Sequence, residues 1–365
     1  MTPTAQRLPG IDALKGLACV LIVWHHLAFY GPMSDVVHRS VPWLTGWLYD
    51  YGRMAVQVFL VLGGFLVASS LAPQGTATFE QPGRLILRRY RRLVLPYLVA
   101  VAVSLLVAAL VRPWFAHTSV PAAPTLMQVL GHALLLQDLL GHEALSAGVW
   151  YVAIDFQLFV MSVMVFSTQR LLERRWPGTP ARLGVGLVLL LAVSSLLVFN
   201  RQAGLDITGL YFFGSYTLGM LAFWASNTAC KVKRAQWLLT IALLGGAALL
   251  LDFRGRLALA LVLAFALVWL QKSASAAWLQ QRWQMKIGLV QLGQMSYSVF
   301  LIHFPVCLLV NAVVSHFWPT EVPANALGLL AAFLLSLLAG RVLYRGVEAR
   351  RAPLRGVPIA SLSSP

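Results

Sequence analysis

Long apolar runs, separated by short polar and basic segments, repeat along the whole of this chain. A helix needs about 20 apolar residues to cross about 30 Å of hydrocarbon. Runs of this kind fall at 13–30, 54–71, 93–111, 148–166, 183–199, 209–226, 237–251, 257–271, 292–314 and 324–343. The pattern predicts an all-α polytopic membrane protein with about ten transmembrane helices. The segment 125–140 is also apolar, but it is short and carries His132, Gln137 and Asp138. Crossing there would put every later basic segment on the opposite side, so the segment is expected to be re-entrant or interfacial. One membrane domain is expected over 1–345, followed by a short basic cytoplasmic tail at 346–365.

Composition supports the membrane reading: 59% of residues are hydrophobic and only 11% charged. A soluble domain needs about a quarter of its residues charged, so a free cytosolic enzyme, a secreted disulfide scaffold and a disordered chain are excluded. Cys19, Cys230 and Cys307 show no metal-ligand spacing, and no metal is expected. The net charge of +16 could indicate nucleic acid; in a chain this apolar it reads instead as loops held at an anionic leaflet, with the lipid bilayer as partner and no nucleic acid. With the N-terminus inside, 22 of the 28 Lys and Arg residues fall in cytoplasmic segments, leaving Arg39, Arg53, Arg112, Arg201, Arg254 and Arg256 outside. Both termini are therefore expected to be cytoplasmic.

Ionisable groups within spans are costly unless they face protein or water, which makes each a functional candidate. In the first span Asp12, Lys15, Cys19, Val23 and His26 form one stripe, because the eleven steps from Lys15 to His26 return to within about 20° of the same face. Lys15 then lies near the inner surface and His26 about 16 Å further out, while His25 points about 100° away. Lys15 is either a positive-inside anchor or part of a site. His26 is either an interhelical hydrogen-bonding residue or a base able to take a proton from a hydroxyl. In the fourth span, Trp150 and Tyr151 lead into Asp155 and Gln157. Either polar residue can orient a substrate, or Asp155 can pair with a cation on a neighbouring helix. Ser296, Tyr297 and His303 make a polar stretch in the ninth span, with Ser296 and His303 two turns apart on one face.

The run RLILRRYRRLVLPY, at 84–97, is read as a loop that packs Arg88, Arg89, Arg91 and Arg92 against the inner end of the third span. It serves either as a retention signal or as a phosphate site, since several guanidinium forks on one surface suit an anionic nucleotide. Gly63 and Gly64 suit close helix packing.

Taken in order, these strings resemble acyltransferase family 3 of integral membrane proteins over nearly the whole chain. Asp12-Ala-Leu-Lys15-Gly16 with the later His26 is similar to the family's first-helix element. Val56-Gln57-Val-Phe59-Leu-Val-Leu-Gly63-Gly64-Phe65 is similar to its second-helix element, with Gln57 in place of Asp and Gly63 in place of Ser. Arg88 to Tyr97 resembles its basic run before Pro-Tyr, and Leu292 to His303 its late signature. Lys15 stands where Arg is usual, keeping the charge without the bidentate fork.

The resemblance implies a membrane O-acyltransferase, with acetyl-CoA or another acyl-CoA as the cytoplasmic donor and a hydroxyl of an exported saccharide or glycolipid as the acceptor. A bacterial cytoplasmic (inner) membrane is the implied location. The implied catalytic residues are His26, Asp12 and Asp155, with Lys15, Arg88, Arg89 and Arg92 at the donor. Trp150, Gln157, Ser296, Tyr297 and His303 then bind substrate or support the site. The rival readings are a transporter or flippase for a glycolipid, with the same polar residues along a conduction path, and a sensor or scaffold with a degenerate site.

Overall fold

The computed structural model describes residues 9–180, 182–272 and 287–351. The helices are α1 (Pro9–Phe29), α2 (Pro32–His38), α3 (Pro42–Tyr51), α4 (Ala55–Leu71), α5 (Pro82–Val111), α6 (Leu126–Ala133), α7 (Val149–Arg175), α8 (Leu183–Leu197), α9 (Gly209–Asn227), α10 (Lys231–Leu251), α11 (Gly255–Lys272), α12 (Ile287–Phe317) and α13 (Val322–Leu343). Among the described residues there is no strand, and nine helices are long and apolar enough to cross a membrane. The protein is thus all-α and polytopic. Most of the expected tail, beyond 351, lies outside the described residues.

The span expected at 209–226 falls in α9, which is not among those nine. Its Tyr211, Ser215, Tyr216, Thr217 and Asn227 lower its hydropathy. Almost every residue of α9 is nevertheless buried, because α4, α7, α8, α10 and α11 pack around it. A helix surrounded by protein need not be as apolar as one that faces lipid.

Two close crossings hold the bundle. A Cβ at Gly64 would collide with the Tyr216 carbonyl, and one at Gly219 with the Val61 carbonyl, so α4 and α9 meet backbone to backbone. Gly16 and Gly293 do the same for α1 and α12, against the carbonyls of Leu289 and Asp12. Small residues allow such an approach, and the dispersion contacts it brings drive helix association where lipid offers no hydrophobic gain. The α1–α12 crossing sets the register of the two helices that carry histidines.

Two segments differ from expectation. Arg84–Arg92, expected in a loop, is helical: α5 starts at Pro82, whose fixed φ suits a first turn, and nothing in RLILRRYRRLVL breaks a helix. Hydropathy stops at the charges, but the helix does not. Residues 31–53, expected as an outer connection, form α2 and α3, each opened by a Pro.

The doubtful segment at 125–140 holds only α6, about 12 Å long and too short to cross. Its start is closed by the reciprocal Thr125–Gln128 box. His132 Nδ1 donates to the Gln128 carbonyl at 2.8 Å, and Nε2 accepts from the Leu145 amide at 3.1 Å. Burial pushes the His132 imidazole down from its ordinary value and the Asp138 carboxyl up, so both groups are biased towards their neutral forms.

Candidate active site

The C-terminal end of α1 and the middle of α12 bring His26 and His303 together. The two residues are 8% and 0% exposed, and His26 Nδ1 lies 2.6 Å from His303 Nε2. Their ring planes are 10° apart at a centroid separation of 4.8 Å, which suits an in-plane N–H···N bond between the imidazoles. His303 Nδ1 lies 2.6 Å from the carbonyl of Phe300.

That carbonyl settles the proton positions of the neutral pair, because a carbonyl can only accept. His303 therefore carries its proton on Nδ1 and presents Nε2 as an acceptor. His26 must then donate from Nδ1, which leaves its Nε2 lone pair free. No described residue bonds His26 Nε2, so the arrangement presents one basic nitrogen in a buried site.

The surroundings fix this geometry. Asn311 Nδ2 donates to the carbonyls of Tyr30 and Cys307, and its Oδ1 accepts from the Met33 amide at 3.2 Å, tying the turn after α1 to α12. Gly148, with φ 76°, precedes α7 beside His26: a Cβ there would lie 3.4 Å from His26 Cε1 and 2.7 Å from the Phe300 ring. Only glycine suits both that backbone and that clearance. No side chain caps the first turn of α7.

His25 is turned away. Its Nδ1 donates to the Leu48 carbonyl at 2.9 Å and Gly52 packs on its Cβ, so it tethers α3 to α1.

Neither of the two carboxylates implied as catalytic by the resemblance reaches the base. Asp12 shares the stripe of His26 but lies fourteen residues below it, about 21 Å along the axis. Its carboxylate is instead 3.7 Å from Lys15 Nζ. Asp155, about 10 Å below Gly148 on α7, pairs with Arg89 Nη2 at 2.5 Å. The guanidinium of Arg89 also lies over the Phe159 ring at 5.4 Å.

A charged cluster forms towards the other end of α1. Lys15 feels the charges of Arg89 and Arg92, and Glu348 those of Arg92 and Lys15. Glu348, which the sequence did not flag, accepts from Ser298 Oγ at 2.6 Å from a π-helical turn at Tyr344–Glu348. On α5, Arg88, Arg92 and Arg89 span an arc of about 100°, with Arg88 and Arg92 exposed and Arg89 turned inward.

Of the other polar candidates, Gln157 Oε1 accepts from the Gly209 amide at 2.8 Å at the start of α9. Ser296 Oγ bonds the Gly293 carbonyl, while Tyr297 OH donates to the Leu93 carbonyl and joins α12 to α5. Trp150 packs against Phe212 and Tyr151. Only His303 of this group meets His26. Among the described residues, no group of three or more His, Cys, Asp or Glu could hold a metal ion.

The acyltransferase domain family matches residues 8–344, nearly the whole chain. The chain belongs to this acyltransferase family. No curated protein matches it, and neither does any solved structure.

For an integral membrane acyltransferase, the arrangement separates two kinds of chemistry. Cations gather around Lys15, and a single free imidazole nitrogen sits eleven residues, or about 16 Å, further along α1. The first can hold an anion; the second can move a proton.

Proposed function

We propose that this membrane acyltransferase moves an acyl group, typically acetyl, from cytoplasmic acyl-CoA to a hydroxyl of a saccharide or glycolipid exported across a bacterial cytoplasmic membrane. The observation that carries the reading is the His26–His303 pair, whose hydrogen bonding leaves His26 Nε2 as a free base. His26 Nε2 takes the acceptor's hydroxyl proton as its oxygen attacks the thioester carbonyl. The tetrahedral oxyanion is met by the uncapped amides that open α7, beside His26. The C–S bond then breaks, and the thiolate recovers the proton from His26. Base catalysis of this kind is worth about 10²- to 10⁴-fold.

Lys15, Arg88, Arg89 and Arg92 serve the donor, with exposed Arg88 and Arg92 at its phosphates. Arg89 is already committed to Asp155, and reversing it would strand a buried carboxylate at about 3–5 kcal/mol. Exposed Arg88 and Arg92 give the cleaner test. Arg88→Glu with Arg92→Glu should weaken CoA binding to the detergent-purified protein by at least ~10-fold, each such factor being about 1.4 kcal/mol. Unchanged affinity in correctly inserted protein would reduce the cluster to a topology signal.

The donor must enter from the cytoplasm, so the reading also requires both termini inside. Single cysteines placed in the 112–147 segment and in the C-terminal tail should label from opposite sides of the membrane. Labelling of both from the same side overturns the orientation.

A further inference from the structure

Several buried hydrogen-bonding atoms have no partner among the described residues, and two of them belong to side chains that approach Asp155 from different helices: the hydroxyl of Tyr216 and Nε of Arg89. Tyr216, on α9, is 1% exposed. Its ring fills the space over Gly63: a Cβ there would lie 2.9 Å from the ring and 3.9 Å from Asp155 Oδ1. Arg89 reaches the same carboxylate from α5, bonding Oδ2 through Nη2. Both side chains therefore approach one carboxylate, from different helices.

Each such orphan costs about 1–3 kcal/mol, and native interiors keep few of them. Phenylalanine at 216 would pack the same ring at no such cost. A tyrosine here, with an unpaired Arg Nε approaching the same carboxylate, points to a ligand atom that satisfies both. Both groups can donate, so that atom is an acceptor.

Depth and charge narrow its identity. Asp155 lies about 10 Å below the level of Gly148 and His26, too far for Tyr216 and Arg89 to touch the reacting carbonyl. A phosphate would bring further negative charge against Asp155, whereas a neutral carbonyl oxygen takes two donors without that repulsion. An acyl-CoA arm carries two amide carbonyls. At standard bond lengths they lie about 5 Å and about 10 Å from the thioester sulfur. We infer that Tyr216 OH and Arg89 Nε together clamp the amide oxygen of the donor's pantetheine arm that is farther from the thioester, holding the arm in register with His26. This rests on the acyl-CoA reading above.

Tyr216→Phe tests it, because only the hydroxyl is lost. The ligand-free variant in detergent should melt at or above the wild-type temperature, as an unpaired buried group has gone. Its CoA affinity, measured by calorimetry, should fall about 3- to 10-fold. The acetyl thioester of N-acetylcysteamine keeps only the nearer amide and cannot reach the clamp. The preference for acetyl-CoA over this short donor, as a ratio of kcat/KM, should drop by the same factor through KM. Equal CoA affinity in the two proteins, or an unchanged preference accompanied by a lower melting temperature, overturns the inference and leaves Tyr216 as packing. Failure of the wild-type protein to bind CoA at all would instead remove the acyl-CoA reading on which it stands.

Discussion

His26→Ala should lower kcat by two to four orders of magnitude, about 2.7–5.5 kcal/mol of transition-state stabilisation, with CoA affinity close to wild type. The reasoning is local. Nε2 of His26 has no protein partner, so its loss removes a proton acceptor that contributes no described contact to the fold. Loss of the Nδ1 bond and the cavity left behind will cost stability as well, and His26→Gln separates the two effects, since it fills much of the space yet cannot act as a base near neutral pH. His25→Ala should behave in the opposite way. It breaks the tether to the Leu48 carbonyl, so its effect should appear in the melting temperature, while turnover stays within a few-fold of wild type. Single-turnover acetyl transfer and thermal melting on the same preparations read both quantities. Comparable turnover in the His26 and His25 variants, or full activity in His26→Gln, would exclude the base assignment and revive the reading of these polar residues as a conduction path.

Several features of this site were readable one helix at a time. The 100° step put His26 and His25 on different faces, and the structure gives them different partners, His303 and Leu48. Asp12 shares the stripe of His26, but its fourteen-residue offset keeps it from the base and leaves it with Lys15. Hydropathy located the spans but clipped α5 at its arginines, hiding that Arg89 projects from a helix towards Asp155. The carboxylate of Asp155 was readable as either a substrate contact or a cation's partner, and the geometry selects the pairing.

What needs two helices at once was beyond a linear reading. His26 and His303 are 277 residues apart, and Ser298 meets Glu348 only because the chain turns back between α12 and α13. One signal was nonetheless present. Cys19 and His26 on α1, and Ser296 and His303 on α12, are both seven residues apart, and Cys19 Sγ meets the Ser296 carbonyl at 3.6 Å just as His26 meets His303. Two helices in the same direction with matched spacings bring both pairs into contact together. The orphaned hydroxyl of Tyr216 left no such trace, since a tyrosine inside a helix reads as packing until its neighbours are known.

His303 should matter nearly as much as His26, although it accepts no proton from substrate. Its Nδ1–H is committed to the Phe300 carbonyl, and this makes its Nε2 the acceptor that holds the proton of His26 on Nδ1. Without that acceptor, His26 can carry its proton on Nε2, where it cannot serve as base, and the ring loses the bond that fixes its plane. His303→Ala should therefore lower kcat by about 10- to 100-fold, or about 1.4–2.7 kcal/mol, while the KM for acyl-CoA stays near wild type because the donor's cations lie about 16 Å away. His303→Gln distinguishes positioning from packing. Its side-chain oxygen can accept from His26 Nδ1 and its amide can donate towards the Phe300 carbonyl, so a substantial part of the lost kcat should return. His303→Leu, similar in bulk but unable to accept, should remain as slow as the alanine variant even where its melting temperature recovers. Activity that follows thermal stability across the three variants, or a glutamine variant no faster than leucine, would mean that His303 only fills space and that the tautomer of His26 is set by something else.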